Sequence, residues 1–239
     1  MTQYPRCNDF YSIEEAAGAP KEKYLFASEE IADQAVSIPP RGQSLRQDQL
    51  TEFQQRYFRY PMPPKLRRQA AEGFIGPFMR RAYRREVTND EVGRVMRLAK
   101  VAVDDGGSFE DGIRLAVQAV LISPHFLFRW ELDGAPDNPK ASRSLNEFEL
   151  ASRLSFFLWS SMPDDRLLEL AGKAQLRKNL KQEISRMLSD KKAGALVGNF
   201  AGQWLQFRNL DVYQPDKKLF PMFTPELRAA MRHETEQLF

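Results

Sequence analysis

The sequence contains little of what most catalytic and metal sites require. Among 239 residues it has one cysteine, Cys7, and two histidines, His125 and His233. A single cysteine excludes an intramolecular disulfide and any CxxC site, and two histidines are too few for a three-histidine zinc site. Without a CxxCH segment the chain cannot attach c-type haem covalently. We therefore predict no haem or zinc on this chain, and we assign no catalytic, cofactor-binding or metal-binding residue.

The two histidines show no recognisable chemistry. His233 opens the segment HETEQ, which imitates the zincin motif HExxH, but Gln237 stands where the second imidazole ligand is needed. His125 lies in an aromatic run, and we interpret it as a capped or core histidine rather than a ligand. GxSxG, P-loop and GxGxxG motifs are also absent from the sequence.

Long hydrophobic runs are missing as well. No window approaches the roughly 18 uninterrupted apolar residues of a transmembrane helix, so we predict no membrane span. The first ten residues, MTQYPRCNDF, have no apolar core of a signal peptide. The location of the protein is therefore unknown from its residues alone.

Charge is distributed unevenly along the chain. The formal net charge is +3, yet residues 39–85 carry eleven basic and only three acidic side chains, whereas residues 1–38 are acidic. Such a basic block, interleaved with Tyr57, Phe58, Tyr60 and Tyr83, could attract nucleic acid. Solvated arginines in the last turn of a helix explain it more simply, with the acidic segment folding against them. We favour this second interpretation over nucleic-acid binding.

The apolar pattern predicts an all-α protein with at least six helices. Thr88 and Glu91 form a capping box for a helix of about residues 89–103 that stops near Gly106. Ser108 caps the next helix, and a short helix is expected at residues 125–132, with a short strand as the alternative. Ser144 and Glu147 repeat the capping box, and Thr224 followed by Pro225 opens a last helix. No alternating run of strand length competes with this assignment.

A segment rich in Gly, Pro, Asp and Asn, DGAPDNPK at residues 133–140, marks a domain boundary. We expect two adjoining helical halves in a bundle-like or orthogonal assembly. The predicted parts are an unassigned segment 1–64, a small helical domain 65–133 and the first portion of a larger helical domain 140–239. The last helix has no C-terminal cap, so we expect that domain to be truncated.

One helix, predicted over residues 193–208, has an unusual glycine stripe. Gly194, Gly198 and Gly202 are four residues apart and share one face, although each glycine costs about 1 kcal/mol relative to alanine. We expect another helix to pack closely there, and a ligand groove is the alternative. The best candidates for a polar cluster are Arg153, Trp204, Arg208 and Asp211, since Arg208 and Asp211 are one helical turn apart. A structural ion pair would explain that spacing equally well.

Three segments resemble a known family: RRAYRREVTNDEV at residues 80–92, SFEDGIRLAVQAVLISPHFLFR at 108–129 and GNFAGQWLQFRNLDVYQPDKKLFPMF at 198–223. They are similar to the two adjoining domains of unknown function in planctomycete-type multidomain proteins that also carry c-type cytochrome domains. The resemblance covers residues 65–239 and implies a periplasmic or secreted setting. It further implies a part in redox or polysaccharide metabolism, with haem only in a fused or partner cytochrome domain. It establishes no activity, so no catalytic residue is carried across.

The sequence departs from the family pattern in several places. Glu86 replaces the proline of the RAYRRP motif, the cysteines often found before that motif are missing, and no cytochrome domain is present. The favoured hypothesis is a non-catalytic helical module that docks other domains of a larger cell-envelope protein, including a c-type cytochrome. The alternatives are an enzyme whose site is completed by residues after 239, and a nucleic-acid binder that uses the basic block.

Overall fold

The computed structural model describes residues 21–40, 43–129, 131, 138 and 142–238. Over these ranges the chain is helical and forms no β-strand, which confirms the all-α prediction. The chain divides into two compact units, unit 1 (Met1–Trp130) and unit 2 (Glu131–Phe239). Cys7 and all of the proposed linker except Asn138 lie outside the described residues.

Six helices are described in unit 1. They are α1 (Lys21–Ala35), α2 (Glu52–Tyr57), α3 (Pro64–Tyr83), α4 (Asn89–Asp104), α5 (Phe109–Leu121) and α6 (Pro124–Leu127). Helix α5 lies at the centre of the unit, because α1, α3 and α4 all pack against it. No helix in the described part of the chain is long and apolar enough to cross a bilayer.

Local sequence signals set the ends of α4 and α5. Thr88 and Glu91 form the predicted capping box, in which Thr88 Oγ1 accepts from the Glu91 amide at 3.2 Å. Gly106, with φ +88°, and Gly107 then donate their amides to Val103 O and Ala102 O, which closes α4 in a Schellman motif. Ser108 caps α5 as expected and accepts from the Asp111 amide.

Helix α6 is shorter than the sequence suggests. The expected helix of residues 125–132 ends at Leu127, and Phe128 is extended. The cause is Arg84, whose guanidinium donates to the carbonyl oxygens of His125, Phe126 and Phe128 at 2.9 to 3.2 Å. These carbonyls face a cation instead of continuing the helix, because Arg84 satisfies acceptors that the helix end leaves open.

The core of unit 1 combines an apolar interior with a small polar network. Ile75, Met79, Ile113 and Val120 are among its almost fully buried side chains. The buried amide of Gln54 accepts from Ser37 N at 3.1 Å and donates to Ser37 O at 3.0 Å, which ties α2 to the segment after α1. Such paired bonds satisfy a polar group that would otherwise destabilise the core.

Four helices and one irregular helical run are described in unit 2. The helices are α7 (Glu147–Trp159), α8 (Asp165–Gly172), α9 (Leu180–Leu188) and α10 (Pro225–Leu238). The run, called here the glycine helix, consists of Gly194–Leu196, a π-helical turn Val197–Ala201 and Gly202–Trp204. Helix α7 contacts α8, α9 and the start of the glycine helix.

The start of α7 corrects one sequence assignment. Its N-cap is Asn146, whose side chain accepts from the Glu149 amide at 2.8 Å, rather than Ser144. Glu147, the expected partner of Ser144, instead accepts from the backbone amide of Arg177 at 3.0 Å. The helix therefore begins two residues later than the Ser144 box predicts, because Glu147 is engaged elsewhere.

Candidate functional site

The structure places the four candidate polar residues of unit 2 in separate surroundings. Arg153 donates to Glu131 Oε1 at 2.6 Å, and Asp211 forms an ion pair with Arg232 of α10 at 2.8 Å. Arg208 donates through Nε to the carbonyl oxygen of Gly198 at 3.1 Å and also bonds to Asn199. The expected pairing of Arg208 with Asp211 is therefore replaced by contacts with other partners.

The end of the glycine helix explains this difference. The helix stops at Trp204, and Gln206 adopts the left-handed conformation with φ 58°. The chain therefore turns back before Arg208, and residues Phe207–Asp211 form a 3-10 segment. Arg208 and Asp211 still lie three residues apart on one face of this segment, but the turn brings the Arg208 guanidinium onto Gly198 O, and Asp211 pairs with Arg232.

The glycine stripe differs from its expectation at two of three positions. A Cβ added at Gly194 or Gly198 would meet no atom of another element or side chain within 4 Å. At Gly202 an added Cβ would lie 3.2 Å from Arg208 Nε and 3.3 Å from Phe207 Cε2. The π-helical turn also breaks the four-residue register on which a shared stripe depends. Of the three glycines in the stripe, only Gly202 is closely packed, and its neighbour is the returning chain.

Large apolar side chains stand exposed beside this helix. Trp204 is 66 % exposed, Phe157 of α7 is 56 % exposed, and Phe200 and Leu205 are nearly half exposed. The rings of Phe157 and Phe200 meet edge-on with centroids 5.7 Å apart, and Phe200 and Trp204 are also 5.7 Å apart. We call Phe157, Phe200, Trp204 and Leu205 the aromatic face. Phe157 recurs with Phe148, Ala151, Leu154 and Leu158 on the apolar face of α7, and this pattern predicts a buried side chain, whereas the structure shows Phe157 exposed.

The aromatic face rests on well-fixed neighbours. Trp159 is buried and donates its indole Nε1–H to Met187 O at 2.9 Å, which holds the end of α7 against α9. Asn199, on the glycine helix, donates to Ser160 Oγ at 2.6 Å, and Leu196 packs against the core around Ala151. These contacts fix the helix segments that carry Phe157 and Phe200.

A buried ionic network links two helices of unit 2. Glu183 is fully buried and accepts from Arg166 Nε at 2.8 Å and Arg186 Nε at 2.7 Å, while Arg186 also reaches Asp164 at 2.8 Å. Burial alone would raise the pKa of Glu183, but the two guanidinium groups lower its pKa below the ordinary value. Glu183 is therefore a charged structural group that links α8 to α9.

His125 lies in a polar group at the surface of unit 1. Its side chain is 45 % exposed, its ring packs against Tyr83 at 5.3 Å, and its Nε2 is 4.0 Å from Glu91 Oε1. The bidentate bond from Arg85, opposed by partial burial, brings the pKa of Glu91 down to about 2. Burial and the nearby Arg85 lower the pKa of His125. His125 is thus a partly exposed residue whose amide donates to the capping Ser123 Oγ at 3.3 Å, so the expectation of a capped histidine is confirmed and that of a core histidine is wrong.

The basic block contains several local ion pairs. Arg46 pairs with Asp48, Arg68 with Glu72, Arg80 with Glu86, and Arg85 with Glu91. The acidic segment was expected to fold against this block. In its described part, Asp33 of α1 instead pairs with Arg114 of α5, which lies outside the block. In the part of the chain that the structure describes, no group of three or more metal-ligating side chains comes together.

These features define an all-α chain of two units, one of which presents an exposed aromatic face. Residues 145–239 match the family described as PSD4, a protein of unknown function (DUF1592). Residues 70–131 match the family described as PSD5, a protein of unknown function (DUF1595). The chain therefore carries two adjoining domains of unknown function, as the sequence motifs predicted. No curated protein and no solved structure matches the chain.

Proposed function

We propose that this chain is a non-catalytic helical docking module of a larger cell-envelope protein, and that its partner is a c-type cytochrome domain. The observation that carries the proposal is the aromatic face of unit 2. The cytochrome and the periplasmic setting follow from the resemblance of the two domains to planctomycete-type proteins. The docking role follows from the surface itself.

The chemistry of the aromatic face suits protein recognition. Three adjoining aromatic side chains are 43 to 66 % exposed, so a partner could cover roughly half of the about 150 to 250 Å² that an aromatic side chain buries in full. Tryptophan is enriched among the residues that dominate binding energy, and contiguous exposed apolar groups mark interaction sites. Because Phe157 and Phe200 are already held by α7 and the glycine helix, a partner would lose little entropy in ordering them.

Calorimetric titration with a c-type cytochrome domain from the protein's own genome tests the proposal. We expect Trp204→Ala and Phe157→Ala each to weaken binding at least about tenfold, because they remove central apolar contacts. The matched control is Leu188→Ala, since Leu188 on α9 is 50 % exposed but lies outside the aromatic face. This control should bind as the wild type does.

Two results would contradict the proposal. Equal weakening by Leu188→Ala would show that the loss is a general effect of removing exposed apolar groups. Unchanged binding by both aromatic variants would place the partner on another surface. Thermal melts of all three variants should stay close to that of the wild type, since each side chain is half exposed or more.

A further inference from the structure

A second candidate site, unrelated to the aromatic face, lies in unit 1. Helices α3, α4 and α5 enclose a groove of about 810 Å³. Its apolar lining includes the buried side chains of Ala71, Ala99, Phe109 and Ile113, with Val92 and Met96 partly buried beside them. Grooves of 300 to 1,000 Å³ or so are typical of small-molecule sites, in which apolar walls surround a few polar groups.

Two glycines on the lining shape this groove. At Gly112 of α5 an added Cβ would lie 2.8 Å from the Ala99 carbonyl oxygen, so α5 can approach α4 closely only because the residue is glycine. At Gly93 of α4 an added Cβ would meet only Arg97 Nη1, at 3.7 Å. The two helices therefore touch at Gly112, while the wall at Gly93 stays open.

The polar lining of the groove is strongly basic. Arg67, Arg68, Arg97 and Lys100 line it, against a single carboxylate, Glu72. Arg68 pairs with Glu72, and Lys100 pairs with Asp104. Within the described ranges, Arg97 has no ion pair, and Arg67 Nε is buried without a hydrogen-bond partner. No carboxylate pairs with Arg67 or Arg97 in this part of the chain, so the lining carries positive charge that an anionic ligand could neutralise.

We propose that the groove binds a small amphipathic carboxylate, with an acyl chain on the apolar lining and its carboxylate at Arg67. The apolar walls exclude a small inorganic anion as the best occupant, because most of the groove would stay unfilled. The excess of positive charge on the lining, where Arg67, Arg97 and Lys100 face a single carboxylate, disfavours a neutral lipid. Only a ligand that combines both properties satisfies the whole lining.

Calorimetric titration of the full chain with decanoate, decanol and acetate tests this proposal. We expect binding of decanoate, at least about tenfold weaker binding of decanol and no detectable binding of acetate. Arg67→Gln should weaken decanoate binding by about tenfold but leave decanol binding unchanged. This split between the two ligands separates loss of the charged contact from a general disturbance of the groove.

A filling variant provides the steric test. Gly93→Leu places an apolar side chain into the groove and meets only the flexible end of Arg97, so the protein should fold and lose decanoate binding. Its control is Gly73→Leu on α3, where an added Cβ meets nothing within 4 Å and which is not part of the lining. Gly73→Leu should bind decanoate as the wild type does. Wild-type protein that binds no decanoate, or Gly93→Leu that binds it normally, would overturn the proposal.

Discussion

Both units contain a cluster of aromatic rings, but the rings are buried in unit 1 and partly exposed in unit 2. In unit 1 the rings of Phe58, Phe74 and Phe109 meet edge-on at 5.3 and 5.5 Å, and all three are buried. In unit 2 Phe200 meets Phe157 and Trp204 at 5.7 Å, yet these three side chains remain 43 to 66 % exposed. Ring contacts alone therefore do not make a core. What differs is that unit 1 covers its cluster with its own helices, whereas unit 2 leaves its cluster open.

Helical glycines show the same contrast. Gly112 in unit 1 lies against the Ala99 backbone, while Gly198 in unit 2 faces open space. The close helix crossing expected from the sequence is thus present in this chain, but at a glycine that the spacing pattern did not mark. If the contrast is right, an added side chain should destabilise the protein at Gly112 and be tolerated at Gly198.

The largest effect is expected from the ionic network that underlies unit 2. Glu183→Gln removes the buried charge that pairs with Arg166 and Arg186, which are themselves partly exposed, and should lower the free energy of unfolding by about 2 to 3 kcal/mol. Lys173→Gln, which removes an exposed ion pair of the same unit, should change it little. Urea unfolding measures both, and equal effects would mean that the network does not hold the unit together.

In unit 1 the sharpest test of packing is Gly112→Ala. Because the added Cβ would lie 2.8 Å from a backbone oxygen that cannot rotate away, we expect a loss of about 1 to 3 kcal/mol in unfolding free energy. This loss would occur despite the better helix propensity of alanine. Denaturant melts with Gly73→Ala as a control for propensity would show it, and a stabilised Gly112→Ala would remove the contrast between the units.

The ion pair of Glu91 with Arg85 in unit 1 can be compared with the buried ionic network of unit 2. The pKa of Glu91 is about 2 in the folded chain, against an ordinary 4.5, so its stabilisation is present above 4.5 and is lost as the pH falls towards 2. Glu91→Gln should therefore destabilise by about 1 to 2 kcal/mol at neutral pH and match the wild type near pH 2. Glu72→Gln, at an exposed pair, should change the free energy of unfolding little at neutral pH. A gap that persists in strong acid would refute the assigned role.

The smallest effect is expected at Gly198. With nothing within 4 Å of an added Cβ, Gly198→Ala should raise the unfolding free energy by up to about 1 kcal/mol through helix propensity. Thermal melts beside Gly202→Ala make the comparison, since Gly202 is crowded by Phe207 and Arg208. A destabilised Gly198→Ala would show that the open space is filled in solution.

Capping signals proved easier to predict than surfaces. Thr88, Ser108 and Gly106 act locally, so their short motifs were enough to place the ends of α4 and α5. The break in the glycine helix could not be predicted, because Gln206 carries no sequence signal for a left-handed residue and the pattern continues past it.

The aromatic face and the groove were harder to predict from the sequence than the helix ends. An apolar period shows that Phe157 and Trp204 share faces with other apolar residues, but not whether the chain itself covers them. The groove depends on helices α3, α4 and α5 meeting, so Arg67, Gly93 and Phe109 come together only in the fold. Of these three residues, only Arg67 carried a signal in the sequence, because it belongs to the basic block of residues 39–85.

The most direct test of the docking role is oxidative footprinting of the two described tryptophans. In the free chain we expect Trp204, at 66 % exposure, to be labelled readily and Trp159, at 3 %, to be protected. On addition of a saturating c-type cytochrome domain, labelling of Trp204 should fall while Trp159 stays unchanged, because the partner covers the aromatic face. Trp204 that remains fully labelled in the complex would contradict the account.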